Sequence, residues 1–183
     1  MPPLSAPHSL GRQRAFTLLE LVTVIAIIAM LTGLAIGAGR RASAASHGAR
    51  AKTELAVLAA ALENYQRMYG DYPRTDDTAV LLQSLVGHRD ALGHLIAARS
   101  LIEVARFTTG ESRDPFTDAA AVLVDPWDRP YRYSYKTQEP WNNASYILYS
   151  IGPDGRDSGV LLAGGFVDPA PQENADNLYA NHP

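Results

Sequence analysis

A single carboxylate stands at the edge of a long apolar stretch near the N-terminus. Glu20 directly precedes the run 21–38, which only two threonines and two glycines interrupt. A carboxylate in the apolar part of a membrane costs about 2.5–3.5 kcal/mol, so such a residue is a candidate for function. The alternative is that Glu20 lies at the membrane surface, where its head group reaches water.

The C-terminal part of the chain is rich in carboxylate and amide side chains, whose oxygens are the ligands that calcium prefers. The available ones are Asp154, Asp157, Asp168, Asp176 and Asn177. Turn formation explains Asp and Asn equally well. The same region holds Gly155-Arg156-Asp157-Ser158-Gly159, which resembles a serine protease motif, but no histidine motif accompanies it and a turn is favoured.

Composition excludes several classes of function. The chain has 183 residues, 46% of them hydrophobic, and a formal net charge of -3, which argues against a nucleic-acid-binding protein. It contains no cysteine, which excludes disulfides, zinc–cysteine sites and thiol catalysis. No phosphate-binding loop, dinucleotide fingerprint or His-Glu-x-x-His motif occurs. We therefore expect no enzymatic activity.

The apolar run has three interpretations. Its length of about 18 residues suits a helix that crosses a bilayer. A cleaved secretory signal would explain the basic residues Arg12 and Arg14, with Ala42–Ala44 as a cleavage site, although the run is long for one. In the third, Glu20 has a function of its own beside a membrane helix. The basic residues of 1–53 are opposed there by Glu20 alone, which indicates a basic end near the membrane: Arg12, Arg14, Arg40, Arg41, Arg50 and Lys52.

The rest of the sequence predicts a helix-rich half followed by a small sheet. Helical spacing of Leu55, Leu58, Leu62, Tyr65 and Tyr69 indicates that the N-terminal helix continues and packs on a core, ending at Gly70 with Pro73 beyond.

Further helix is predicted over 78–107, split near Gly87. Residues 131–135 and 145–151 read as two strands joined by a loop at 138–143. Residues 152–183 read as an irregular loop and tail. This order of elements predicts an α+β fold.

Three aromatic residues, Trp127, Tyr131 and Tyr133, could form a binding face. Aromatic residues at such positions more often pack a sheet against a helix, and we expect that role here.

The segment Arg14–Ile28 resembles the class III signal of type IV pilins and type II secretion pseudopilins. The resemblance implies a leader, residues 1–15, which a prepilin peptidase cuts between Ala15 and Phe16 before methylating the Phe16 amine. The family usually has Gly where this chain has Ala15. Glu20 would then be the fifth mature residue and would pair with the Phe16 amine of a neighbouring subunit during assembly.

A second resemblance lies near the C-terminus. Residues 124–133 (Val-Asp-Pro-Trp-Asp-Arg-Pro-Tyr-Arg-Tyr) and 146–155 (Tyr-Ile-Leu-Tyr-Ser-Ile-Gly-Pro-Asp-Gly) are similar to the major (G-type) pseudopilins of type II secretion. Members of that family show Asp-Pro-Trp-Gly-x-Pro-Tyr-x-Tyr and Ser-x-Gly-x-Asp-Gly, so Asp128 replaces a glycine. The family binds calcium in the loop that follows Ser-x-Gly-x-Asp-Gly. The resemblance therefore implies these ligands here: Ile151, Asp154, Arg156, Asp176 and Asn177.

Together the two resemblances imply a pilin-like α+β fold, in which a long N-terminal helix packs on a small C-terminal antiparallel β-sheet. Residues 16–39 would be a transmembrane and filament-core helix, residues 40–70 its continuation, and residues 71–183 a periplasmic head. The segment formed by residues 75–120 is longer than the corresponding segment that the resemblance leads us to expect.

The implied function is that of a structural subunit of the type II secretion pseudopilus, a helical homo-oligomer that helps drive proteins across the outer membrane. The implied location is the bacterial inner membrane, with a single span. The implied partners are minor pseudopilins, the prepilin peptidase and the inner-membrane assembly platform. The alternatives are a type IV pilin serving adhesion, motility or DNA uptake, and a single-span periplasmic binding protein that does not assemble.

Overall fold

The structure, a computed structural model, describes residues 17–181, and within 35–41 it describes the backbone alone. The leader and the predicted cleavage site between Ala15 and Phe16 lie outside the described residues. Contacts divide the chain into two units, residues 1–42 and residues 43–183. We call the second unit the head.

Helix α1 extends over Leu18–Tyr69. Thr17 begins it, because its hydroxyl oxygen accepts a hydrogen bond from the Glu20 amide at 3.2 Å, as an N-cap residue does. All described side chains of 17–34 are exposed, including eleven large hydrophobic ones between Leu18 and Leu34. No helix of the described residues has both the length and the apolar character needed to cross a membrane.

Within the head, α1 forms one wall of the core. Leu55, Leu58, Leu62 and Tyr65 are buried, as their helical spacing predicts. They pack with helix α2 (Thr78–Leu85) and with tyrosines from the sheet. Asp77 caps α2, because its carboxylate accepts a hydrogen bond from the Ala79 amide at 2.8 Å.

The strands of the head are short and antiparallel. They are β1 (Thr108–Thr109), β2 (Leu123–Val124), β3 (Arg132–Ser134), β4 (Ile147–Ser150), β5 (Leu161–Leu162), β6 (Phe166–Val167) and β7 (Leu178–Tyr179). The main sheet has the order β3-β4-β7, and β1-β2 and β5-β6 form two separate pairs. Short 3₁₀ turns occupy Val104–Arg106, Gly110–Ser112 and Gln172–Asn174. The predicted pilin-like α+β fold is confirmed.

The predicted helix over 78–107 is wrong beyond Leu85, apart from the turn Val104–Arg106. The backbone turns back instead, and its amides bond across the turn: Ile96 donates to the His88 carbonyl and Ala98 to the Gly87 carbonyl, each at 2.9 Å. Leu92 and Leu95 are exposed, so their spacing does not mark a buried helix face.

The predicted irregular tail over 152–183 is also wrong in part. It contains the β5-β6 hairpin and β7, which pairs with β4 through Tyr149 opposite Tyr179 and Ser150 opposite Leu178. A two-residue strand leaves no detectable alternation in sequence, and β7 exists because the edge of β4 supplies its hydrogen-bonding partners.

Candidate functional site

Three loops meet at one end of the main sheet. The first, 125–130, enters β3; the second, 151–157, leaves β4; the third, 174–177, enters β7. The register brings them together, because Tyr149 lies opposite both Arg132 and Tyr179. We call these three loops the motif junction, since it unites the two C-terminal motifs with the predicted calcium ligands.

Asp125 joins the first two loops. It is 1% exposed, and one of its oxygens accepts hydrogen bonds from the amides of Trp127 (2.9 Å) and Arg129 (3.1 Å). Its other oxygen accepts from the hydroxyl of Ser150, whose oxygen in turn accepts from the Gly152 amide at 3.2 Å. Because buried carboxylates need such partners, the Asp of one motif and the Ser of the other depend on each other.

Asp128 shows why the related motif carries glycine at this position. Its φ is +61°, in the left-handed region that glycine adopts without steric cost. Asp tolerates this region better than most residues do. The replacement therefore keeps the turn but adds backbone strain.

The second loop is held from two sides. Arg129 donates through Nη1 to the carbonyl of Gly152, and its guanidinium lies where a side chain at Gly155 would have to be. A side chain at Gly152 would overlap Asp176 of the third loop. Both glycines have positive φ, +67° at Gly152 and +71° at Gly155. Glycine is favoured at both places by the positive φ, and at Gly152 also by the Asp176 backbone, which accounts for the motif's two glycines.

The structure brings together most of the predicted calcium ligands. The Asp154 amide donates to Oδ2 of Asp176 at 3.0 Å, and Oδ1 of Asp154 accepts from the Arg156 amide at 2.8 Å. Oδ1 of Asp176 and Oδ1 of Asn177 are both buried and have no hydrogen-bond partner among the described residues. Ile151 is buried at the start of the same loop.

Buried oxygens without partners are unusual, and a bound cation would satisfy them. Between residues 17 and 181, however, no three His, Asp or Glu side chains are grouped as metal ligands. A calcium site here would therefore draw on amide and backbone carbonyl oxygens as well, which calcium accepts.

Sequence reasoning left Asp157 out of the ligand set. Its side chain is 9% exposed and accepts hydrogen bonds from the Tyr149 hydroxyl (3.0 Å) and from Nδ2 of Asn177 (3.5 Å). Burial, together with this carboxylate, raises the pKa of Tyr149. Asp157 thus orients the side chain of Asn177, the residue after Asp176. Only the pairing of β4 with β7 reveals this contact.

The predicted aromatic group divides. Tyr131 and Tyr133 are buried in the core, as expected. Trp127 is half-buried, contacts the ring of His47 edge to face, and lines an open groove of about 520 Å³ with Ala45, Gly48 and other residues of the head. Glu20, on α1, is exposed.

Comparisons with known proteins identify the family of this chain. The sequence model described as "Type II secretion system (T2SS), protein G" matches residues 40–163, about two thirds of the chain, including both motifs. The chain belongs to the type II secretion protein G family. A second model, the prokaryotic N-terminal methylation motif, matches residues 10–36, which include Ala15, Phe16 and Glu20.

Two curated relatives of this family are both named type II secretion system core protein G. The one from Pseudomonas aeruginosa is 26% identical over 152 residues, covering 81% of this chain and 89% of the relative. The one from Klebsiella pneumoniae is 29% identical over 144 residues, covering 79% and 87%. No solved structure matches. The predicted family is confirmed, and its match ends before Asp176 and Asn177.

Proposed function

We propose that this chain is a structural subunit of the type II secretion pseudopilus and helps drive protein export across the outer membrane. The observation that carries this conclusion is the protein G match over 40–163, joined to a methylation motif over 10–36. The fold is consistent with it, since a compact head is attached to a helix whose described side chains 17–34 are all exposed. Such an apolar surface needs lipid or other subunits to cover it.

Processing, membrane anchoring and assembly would follow from membership of the same family. A prepilin peptidase would cut between Ala15 and Phe16 and methylate Phe16. The chain would be held in the inner membrane by its N-terminal helix, with the head in the periplasm, until the assembly platform adds it to a filament of copies and minor pseudopilins. The chain's part in secretion would be mechanical, and the comparisons favour it over a type IV pilin or a non-assembling binding protein.

Mass spectrometry of the mature N-terminus tests the processing step. A chain that begins at methylated Phe16 is the expected result. A chain that begins near Ala45 would show that a general signal peptidase removes the apolar segment, and would overturn the proposal.

Glu20 provides the test of assembly. Pairing with a neighbour's Phe16 amine would offset the cost of a carboxylate in an apolar filament core. We therefore expect Glu20→Ala and Glu20→Gln to insert in the membrane normally but to lose filament formation and secretion. Thr23→Ala is the matched control on the same helix, since its hydroxyl donates to the Glu20 carbonyl at 2.9 Å and it carries no charge. Normal secretion by both Glu20 variants would contradict the assembly role.

We further propose that the motif junction binds calcium. The partnerless buried oxygens of Asp176 and Asn177 support this, as does the position of Asp154 beside Asp176. Side-chain oxygens of these three residues and the carbonyls of Ile151 and Arg156 would hold the ion. Calcium would neutralise the carboxylates and add to the contact that already joins the loop after β4 to the loop before β7.

Thermal unfolding of the full chain in detergent tests this site. Calcium should raise the unfolding temperature, because an ion that binds only the folded state stabilises it by mass action. Asp154→Asn and Asp176→Asn should abolish the rise, whereas Asp168→Asn, a tail carboxylate outside the set, should keep it. An equal calcium response in the Asp176 variant and the unaltered chain would refute the site.

A further inference from the structure

Arg129 is a fixed cation at the loop where calcium is proposed to bind. It follows Asp128, is half-buried, and is held at its own backbone by Asp125: its amide donates to the Asp125 carboxylate at 3.1 Å, and its carbonyl accepts from the Asp125 amide at 2.8 Å. The side chain therefore projects from an anchored turn. Its guanidinium is a planar cation with several hydrogen-bond donors.

The guanidinium closes a ring of contacts between the two motifs. It donates to the Gly152 carbonyl and lies against Gly155, in the place where a Cβ atom of that residue would be. The ring is completed through the Gly152 amide, Ser150 and Asp125. The segment 152–155 is thereby bound to the first loop at both of its glycines.

The same segment also contacts Asp176. The Asp154 amide donates to Asp176, and the bare face of Gly152 lies against the Asp176 backbone and carboxylate. Residues 152–155 are thus held by a clamp of two charged side chains, the cation Arg129 and the carboxylate Asp176. The cationic side of this clamp is part of the chain and cannot be removed by a chelator.

We propose that Arg129 is a positioning residue that keeps segment 152–155 in its ligand-presenting shape without metal, so that calcium loss costs this chain little loop order. The proposal rests on the calcium site proposed above. A hydrogen bond from a charged donor is worth more than a neutral one and holds the Gly152 carbonyl in place. Without Arg129, calcium would have to supply that order itself.

Hydrogen exchange on the full chain in detergent tests the proposal, with EGTA or with calcium. The reporters are the amides of Gly152, Asp154 and Arg156, each of which donates within the junction. In EGTA, Arg129→Ala should speed their exchange about tenfold, the change expected from losing one hydrogen bond to a charged group. Added calcium should restore most of the protection, while the unaltered chain should change little between the two conditions.

Two further variants isolate the contact. Arg67→Ala removes an exposed arginine from α1 and should exchange like the unaltered chain. Arg129→Lys keeps the charge but loses the planar group over Gly155, and should give an intermediate rate in EGTA. Unchanged protection of the β3 and β4 amides shows that each variant is folded.

The outcomes separate this proposal from the calcium site. If Arg129→Ala exchanges in EGTA like the unaltered chain, Arg129 does not position the loop. If its exchange is fast in EGTA and calcium does not slow it, the compensation is wrong. If calcium raises the unfolding temperature of no variant, the metal site fails while the EGTA comparison still decides the role of Arg129.

Discussion

Asp128 is the residue at which this chain departs most visibly from the related motif, and the departure has a conformational cost. Its φ of +61° places an L-residue in the left-handed region. Asp128→Gly should therefore raise the free energy of unfolding by about 0.5–1 kcal/mol, the strain relief exceeding the added chain entropy of glycine. Urea unfolding measures this difference.

Asp76→Gly is the matched control for that substitution. Asp76 is also an exposed aspartate of the head, but its φ is not positive. Glycine there should lower the free energy of unfolding by a few tenths of a kcal/mol to about 1 kcal/mol. A destabilising Asp128→Gly would show that the aspartate makes a favourable contribution that outweighs its strain.

Asp71 should make the free energy of unfolding of the head depend on pH in the acid range. Burial opposes ionisation of this carboxylate, but hydrogen bonds from Lys136, Tyr135 and Arg74 outweigh it and lower its pKa from 3.8 to about 2. A lowered folded-state pKa means that the ionised group stabilises the fold above about pH 4, and that this stabilisation is lost as the pH falls through about 2.

Asp71→Asn should flatten that acid dependence of the unfolding midpoint, measured by urea titration at a series of pH values. Asp76→Asn, at an exposed position, should leave the slope unchanged. A variant at Asp71 that keeps the full slope would assign the acid sensitivity to other carboxylates.

At the scale of elements, a buried carboxylate fastens α1 to the sheet. Glu54 is 6% exposed, pairs with Arg50 at 2.7 Å and accepts the hydroxyl of Tyr131. Arg50 in turn donates to Thr108 at the start of β1. One turn of α1 thereby contacts two other parts of the head, the residue before β3 and strand β1.

Glu54→Ala should lower the free energy of unfolding by about 2–3 kcal/mol, because it leaves the buried Tyr131 hydroxyl without an acceptor and opens a gap. Glu54→Gln retains an acceptor and should cost about 1 kcal/mol. The double variant Glu54→Ala/Tyr131→Phe should be less destabilised than the sum of the two single changes. Urea unfolding of the unaltered chain, Glu54→Ala, Tyr131→Phe and the double variant measures this coupling. Strict additivity would show that the hydrogen bond contributes nothing.

Sequence periodicity predicted the elements that have one buried face. Leu55, Leu58 and Leu62 mark α1 because the core lies on one side of it, and β3 and β4 were located within two residues at each end. The same spacing misled at Leu92 and Leu95, which lie on an exposed turn closed by the Asp90 carboxylate. Apolar periodicity reports burial only where a neighbouring element exists to bury it.

The residues of the candidate site could be named from the sequence, but the contacts that hold them in place could not, and calcium binding stays a prediction. Asp154 and Asp176 followed from the resemblance, and their proximity agrees with it. The contact of Asp125 with Ser150 spans 25 positions and that of Arg129 with Gly152 spans 23, so both depend on how β3 pairs with β4. Sequence alone does not give that register.

At the scale of the whole molecule, the C-terminus completes the head rather than trailing from it. Strand β7 adds to β4, and the Ala180 amide donates to the Leu148 carbonyl at 2.9 Å. Leu178 and Ala180 pack against the core. Nδ2 of Asn181 donates to the Tyr146 carbonyl at 2.8 Å.

A chain that stops after Asn177 should therefore lose about 3 kcal/mol or more of stability, since it exposes apolar core and leaves the carbonyls of Tyr146 and Leu148 without these partners. A chain that stops after Asn181 keeps all of these contacts and should unfold at the same urea concentration as the full chain. Limited proteolysis and near-ultraviolet circular dichroism measure the difference.

Because the motif junction lies at the start of β7, the shorter chain should also lose calcium-dependent stabilisation. If the shorter chain kept both its urea midpoint and its calcium response, β7 would be dispensable and the junction would be held by Asp125 and Arg129 alone.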